Sequence, residues 1–120
     1  MTKKTSLQSV DFARIAVDVA SDKLASDVAM FDLREVSDFA DYFVVLTAQS
    51  SRQINSLSQD IEEALEASGA ALHHREGTPP SGWVLLDFSE VIVHLFGPSE
   101  REFYDIDRAW DQAIETVRIQ

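Results

Sequence analysis

Asp87 and His94 are the first candidates for chemistry in this chain. They sit in two strand-like runs, Trp83–Phe88 and Val91–Phe96, separated by Ser89-Glu90. A tight two-residue hairpin would pair Phe88 with Val91, Leu86 with Val93 and Val84 with Leu95. Asp87 and His94 then face the same way, as an acid–base pair would. No serine, cysteine or second acid is placed beside them by the pattern, which favours a polar patch at a protein contact or a histidine satisfied by a neighbouring backbone group. His73-His74 suggests metal, but neighbours on a strand point to opposite faces and cannot chelate one ion in regular geometry. Asp105-Ile106-Asp107 has the spacing of a two-carboxylate metal motif, which converges on a strand. The pattern places it on a helix, where i and i+2 diverge by roughly 200°. A solvated acidic face is the expectation, and no phosphate-cradling glycine loop precedes it. Ser50-Ser51 could hold an anion at a helix start, although capping alone explains them.

The elements that position these groups follow from apolar spacing. Leu7, Val10, Ala13, Val17, Ala20 and Leu24 recur at helical intervals, so a first helix runs from about Leu7 to Leu24. Val28–Leu33 reads as a short strand and Phe39–Thr47 as a stronger one. The core of the latter, Tyr42–Leu46, is apolar or aromatic throughout, as in a strand covered on both faces. Ser50 with Gln53 fits a capping box, and Ile54, Leu57, Ile61 and Leu65 form the stripe of a second helix ended by Gly69. Ala70–Arg75 reads as a strand and Gly77–Gly82 as a loop. The hairpin follows. Ser99 with Glu102 is a second capping box, and Phe103, Ile106, Trp110, Ile114 and Val117 give a last helix, bent or broken near Asp111. The sum is αββαβββα: an α/β fold with one α+β-like mixed sheet of about five strands and helices packed on it.

Size and charge bound the function. The 120 residues, 45% hydrophobic, support a single domain over 1–120. No cysteine is present, which excludes disulfides, thiol nucleophiles and thiolate metal sites. No apolar run reaches membrane-spanning length, so a soluble intracellular protein is expected. Ten Lys and Arg stand against 21 Asp and Glu, a net charge of −11. Phosphate repels such a body, so extensive direct nucleic-acid binding is not expected. A basic protein surface is the natural partner, although taken alone the charge is better explained as maintaining solubility.

Several segments together resemble one family. They are Asp41-Tyr42-Phe43-Val44-Val45, the turn Thr47–Gln53, Glu76-Gly77, Trp83–Asp87 and Val91–His94. Their order and spacing are similar to the ribosome silencing factor family, also called Iojap or RsfS, and Arg101–Trp110 resembles that family's closing helix. The resemblance implies a fold related to nucleotidyltransferases but lacking their catalytic carboxylates. It implies a translational repressor that acts by occupancy and not as an enzyme; a cytoplasmic location, no cofactor and no metal are expected beside it. It implies binding to the large ribosomal subunit through its ribosomal protein fourteen, which blocks joining of the small subunit, and a homodimer when unbound. The docking surface would then combine Trp83, Asp87 and His94 with Asp41, Tyr42 and Tyr104. Trp83 would be the apolar anchor, and Asp87 would accept from arginine or lysine. Two other readings stand beside it: a dimeric interaction module with a non-ribosomal partner, and a nucleotidyltransferase-type enzyme. One departure matters. The family usually carries glycine where this chain has Ala48, and a positive φ there would cost about 1 kcal/mol or more.

Overall fold

The structure, a computed structural model, describes residues 7–109 and 112–120. In chain order the elements are α1 (Ser9–Asp22), β1 (Ser26–Asp32), β2 (Tyr42–Thr47), α2 (Ser51–Ala67), β3 (His74–Thr78), a 3-10 turn (Pro79–Ser81), β4 (Trp83–Asp87), β5 (Val91–Phe96), α3 (Pro98–Tyr104), α4 (Ile106–Ala109) and β6 (Ile114–Ile119). The strands form one mixed sheet in the order β3-β4-β5-β2-β1-β6. Only the β2–β5 pair is parallel among these neighbours. This central pair is buried along its whole length, as the unbroken apolar run of β2 requires.

Side chains alternate between two apolar layers. Val44, Leu46, Val84, Leu86, Val93 and Leu95 point to the layer shared with α1 and α2. Phe31, Phe43, Val45, Ile92 and Phe96 point to the other. The apolar stripe of α2, Ile54, Leu57, Ile61 and Leu65, is buried in the first layer. Each such side chain contributes about 1.5–3 kcal/mol by leaving water. The helix begins where expected: the Ser50 hydroxyl accepts from the Gln53 N–H at 3.1 Å. The Gln53 side chain accepts from the N–H of Gln49 at 2.7 Å, one residue before the box predicts. The helix ends in a Schellman arrangement. Gly69 takes φ +109°, its N–H donates to Glu66, and the Ala70 N–H donates to Leu65.

The hairpin register is as the sequence predicts: Val84 opposes Leu95, Leu86 opposes Val93, and the Phe88 N–H donates to Val91 at 2.9 Å. Its turn is tighter than a two-residue β-turn. Ser89 has φ +75° and the Glu90 N–H donates to the Phe88 carbonyl, a classic γ-turn in shape. Asp87 supports it by accepting from the Ser89 N–H at 2.7 Å. Ala48 is fully buried and is not among the residues with positive φ, so replacing glycine there strains nothing.

Several expectations need correction. The sheet has six strands, because the predicted last helix is not one element. α3 begins at Pro98 on Gly97 rather than on a Ser99 cap. It stops at Asp105, which adopts φ +46°; α4 adds one turn, and Ile114 and Val117 lie on β6, paired antiparallel with β1. Trp110, assigned to that helix, lies outside the described residues. The strand placed at Ala70–Arg75 falls instead at His74–Thr78. Gly77, expected in a loop, sits inside it at φ +83°, where a Cβ would lie 2.0 Å from the Trp83 carbonyl oxygen. Only glycine lets the edge strand approach β4 this closely.

Asp107 does not lie on a solvated acidic face either. Arg101, itself buried, clasps it with Nε and Nη2, both at 3.0 Å. The Arg101 Nη1 donates to the Asp27 carbonyl at 2.8 Å and to the Thr47 hydroxyl at 3.0 Å. Arg118 of β6 bonds Asp27, Asp107 and Glu115. Burial pushes the Asp107 carboxyl up, but the two guanidinium groups outweigh it and hold the carboxyl below its ordinary range. The network ties the tail to β1 and β2. Arg101→Ala leaves Asp107 to Arg118 alone and removes the donor from two polar oxygens, so it should cost about 2 kcal/mol of stability in urea unfolding. A loss under about 0.5 kcal/mol would contradict the clasp, being what an ordinary surface substitution gives.

Candidate protein-docking face

The two long helices lie on one side of the sheet, and the other side is covered only in part by α3, α4 and the β1–β2 connection. On this second side the register aligns Trp83, Leu85 and Asp87 of β4 with Phe96, His94 and Ile92 of β5. Trp83 is the centre of an aromatic group. Its ring lies 4.5 Å from Tyr104 and 5.2 Å from Phe96 between centroids. Phe103 meets Tyr104 edge-on at 5.0 Å. Phe39 sits 6.2 Å from Phe43 toward the other end of the face. Phe103 is 80% exposed, Phe39 58% and Tyr104 47%. Exposed rings in contact, as Phe103 and Tyr104 are, form the kind of apolar patch that marks interaction sites.

Beneath Trp83 lies His94, 4% exposed. Its ring stacks parallel to Phe96 and meets Phe43 edge-on at 4.8 Å. The indole Nε1–H of Trp83 donates to His94 Nδ1 at 3.3 Å. That bond puts the imidazole proton on Nε2, which is buried with no hydrogen-bond partner among the described residues. Burial first, then the charge of Arg101, pushes the imidazole down to about 4. His94 is therefore a neutral support that orients Trp83, and not an acid–base catalyst at neutral pH.

The predicted site residues divide. Trp83, His94 and Tyr104 come together. Asp87 shares their face but lies at the far end of β4, with one carboxylate oxygen engaged in the hairpin turn. Asp41 immediately precedes β2 and accepts from the Ser9 hydroxyl at 2.7 Å, tying α1 to the sheet. Tyr42 is buried in the helix-side layer, with the Arg34 guanidinium 5.4 Å from its ring centre. It points away from Trp83. Sequence reasoning missed Phe39, Phe103 and Glu76. Phe103 has helical spacing to Ile106 and so read as core. Glu76 lies on the edge strand opposite Leu85, in a stretch the sequence assigned partly to a loop. His74, its neighbour on the same face, is exposed and pairs with Glu76 at 2.7 Å. Among the described residues no three His, Cys, Asp or Glu side chains gather as a metal site.

A family model described as "Ribosomal silencing factor during starvation" matches residues 6–120. The chain belongs to the ribosomal silencing factor family. Among relatives named "Ribosomal silencing factor RsfS", that of Zymomonas mobilis is 34% identical over 107 residues, 89% of this chain and 80% of its own length. That of Bacillus subtilis is 31% identical over 100 residues, 83% of this chain and 85% of its own. The chloroplastic protein Iojap of Zea mays is 30% identical over 88% of this chain and 46% of its own length. A crystal structure from Chromobacterium violaceum, 26% identical, superposes with a TM-score of 0.83 over 88% of both chains. The mixed sheet with helices on it is thus the fold of this family, and the relatives' name is regulatory.

The buried histidine of this family member has a measurable consequence. The unfolded chain takes up a proton at the ordinary imidazole value of 6.5, whereas the folded protein does so only near 4. As pH falls from 7 to 4 the unfolded state binds more protons, and stability drops by up to about 3 kcal/mol. In urea melts at pH 7, 5.5 and 4, His94→Phe should remove this part of the slope. It would leave the carboxylate-dependent loss, Asp107's included, which comes at lower pH. A variant with an unchanged slope between pH 7 and 5.5 would show that His94 is protonated in the folded state.

Proposed function

We propose that the protein lowers translation by binding the large ribosomal subunit through its ribosomal protein fourteen and keeping the small subunit from joining. The open aromatic face carries this reading. Trp83, Tyr104, Phe103 and Phe39 are apolar area that a partner would bury, and the helices leave that side of the sheet accessible. The charge supports a protein partner: at −11, the body is repelled by ribosomal RNA and attracted to a basic protein. Membership of the silencing factor family supports the ribosome as the place of action. The mechanism is occupancy of space. A rigid domain on the joining surface excludes the other subunit without breaking a covalent bond, so potency follows the dissociation constant and the concentration of the factor.

In this reading Trp83 is the anchor, held in place by the His94 bond, with Tyr104 beside it and Asp87 at the edge. Asp41 and Tyr42 act from behind by setting the start of β2. The protein works in the cytoplasm without cofactor or catalysis, and the unbound form is a homodimer. Co-sedimentation with purified large subunits tests the partner, and addition of excess small subunits tests exclusion. The wild type should pellet with large subunits and reduce joined particles. Trp83→Ala should weaken that binding by about 2 kcal/mol or more. Unhindered joining in the presence of saturating factor would sink the proposal, and unchanged affinity of a folded Trp83→Ala protein would remove Trp83 as its anchor.

A further inference from the structure

A cleft of about 210 Å³ opens beside the aromatic group, lined by Glu76, Gly77, Ser81, Trp83, Leu85 and Tyr104. We propose that this cleft receives an arginine side chain of the docked protein. The inference rests on the reading of this face as a protein-docking surface and names the group it recognises. Leu85 is an apolar lining residue, and Trp83 and Tyr104 present two rings 4.5 Å apart, inclined at 45°. Glu76 is the one carboxylate in the lining. It is largely exposed, and the His74 Nε2 at 2.7 Å orients it.

Charge decides the occupant. When a partner covers this face, water leaves Glu76, and a carboxylate losing its hydration needs a cation or it opposes binding. An apolar knob would fill the space but leave that cost in place. An anion would be repelled by Glu76 and by the net charge of −11. Among cations, guanidinium fits the walls better than ammonium. It is planar, stacks on aromatic rings, is weakly hydrated, and offers paired N–H donors to a carboxylate. A lysine ammonium is a compact, strongly hydrated charge that matches Glu76 but not the ring faces.

The test uses the intact protein in two arms. In the first, the indole Nε1–H resonance of Trp83, assigned with Trp83→Phe, is followed by NMR while N-acetyl-arginine amide is added. N-acetyl-lysine amide and N-acetyl-citrulline amide are the comparisons. The arginine amide should move the resonance saturably, the lysine amide less, and the neutral citrulline amide hardly at all. In the second arm, Glu76→Gln and Glu76→Lys are titrated against purified large subunits. Affinity should fall about tenfold for Glu76→Gln and further for Glu76→Lys. Both substitutions are on an exposed edge strand, and circular dichroism confirms the fold. Equal shifts with citrulline or lysine amide overturn the guanidinium assignment. Wild-type affinity of Glu76→Gln for large subunits overturns the use of the cleft in docking, whatever the amides do. If the wild type itself fails to bind large subunits, the ribosomal reading fails, and the amide arm still judges the cleft.

Discussion

A sheet six strands wide has two faces, and this chain has helix enough to cover one of them. Among the described residues only α1 and α2 exceed ten residues, and both lie on the same side. Apolar strands cannot leave their second face bare to water, so the chain fills it with what remains. The β1–β2 connection contributes Leu33 and Ala40, and α4 contributes Ile106. The remainder is closed by aromatic side chains leaning on one another: Phe43, Phe96, His94, Trp83 and Tyr104. Rings at the bottom of this stack are buried, and those at the top are left facing solvent. The open aromatic surface is thus a by-product of how a small domain completes its core.

The same constraint explains the rigidity of the surface. Trp83 is held by a hydrogen bond to a buried imidazole, by stacking on Phe96, and by a strand pinned on its outer side through Gly77. Little side-chain entropy remains to be lost there on binding, which favours an anchor role. The acidic charge is placed differently. Glu62, Glu63 and Glu66 line the outer surface of α2, on the helix side of the sheet. The outer surface of α2 is therefore acidic, while the other side of the sheet exposes aromatic rings with Glu76 and Asp87 among them.

Much of this was legible from residue pattern. The register of β4 and β5, and with it the separation of Trp83, His94 and Phe96 from Val84, Leu86 and Leu95, follows from alternation once the turn is placed at Ser89-Glu90. The second helix and its glycine terminus follow from spacing and from the conformational freedom of Gly69. The tail was not legible in the same way. Phe103, Ile106, Trp110, Ile114 and Val117 keep helical intervals by coincidence, and nothing in the spacing shows that Asp105 turns left-handed. The missed signal is composition: Ile114, Thr116, Val117 and Ile119 are β-branched, which favours a strand. Tyr42 was misplaced relative to Trp83 because the parallel pairing of β2 with β5 sets which residues share a face. A parallel crossover through α2 leaves no local turn from which to count. The Arg101 clasp joins residues 74 positions apart in the chain, and no local pattern encodes it.

The central claim is that the partner sits on the open aromatic side of the sheet while the helices remain in water. Hydrogen–deuterium exchange of the protein, free and bound to purified large subunits, measures this directly. Added protection should fall on β3, β4 and α3, the segments carrying Glu76, Trp83 and Tyr104, and the exposed surface of α2 should exchange as in the free protein. Protection concentrated on α1 and α2, with β3, β4 and α3 unchanged, would contradict the account.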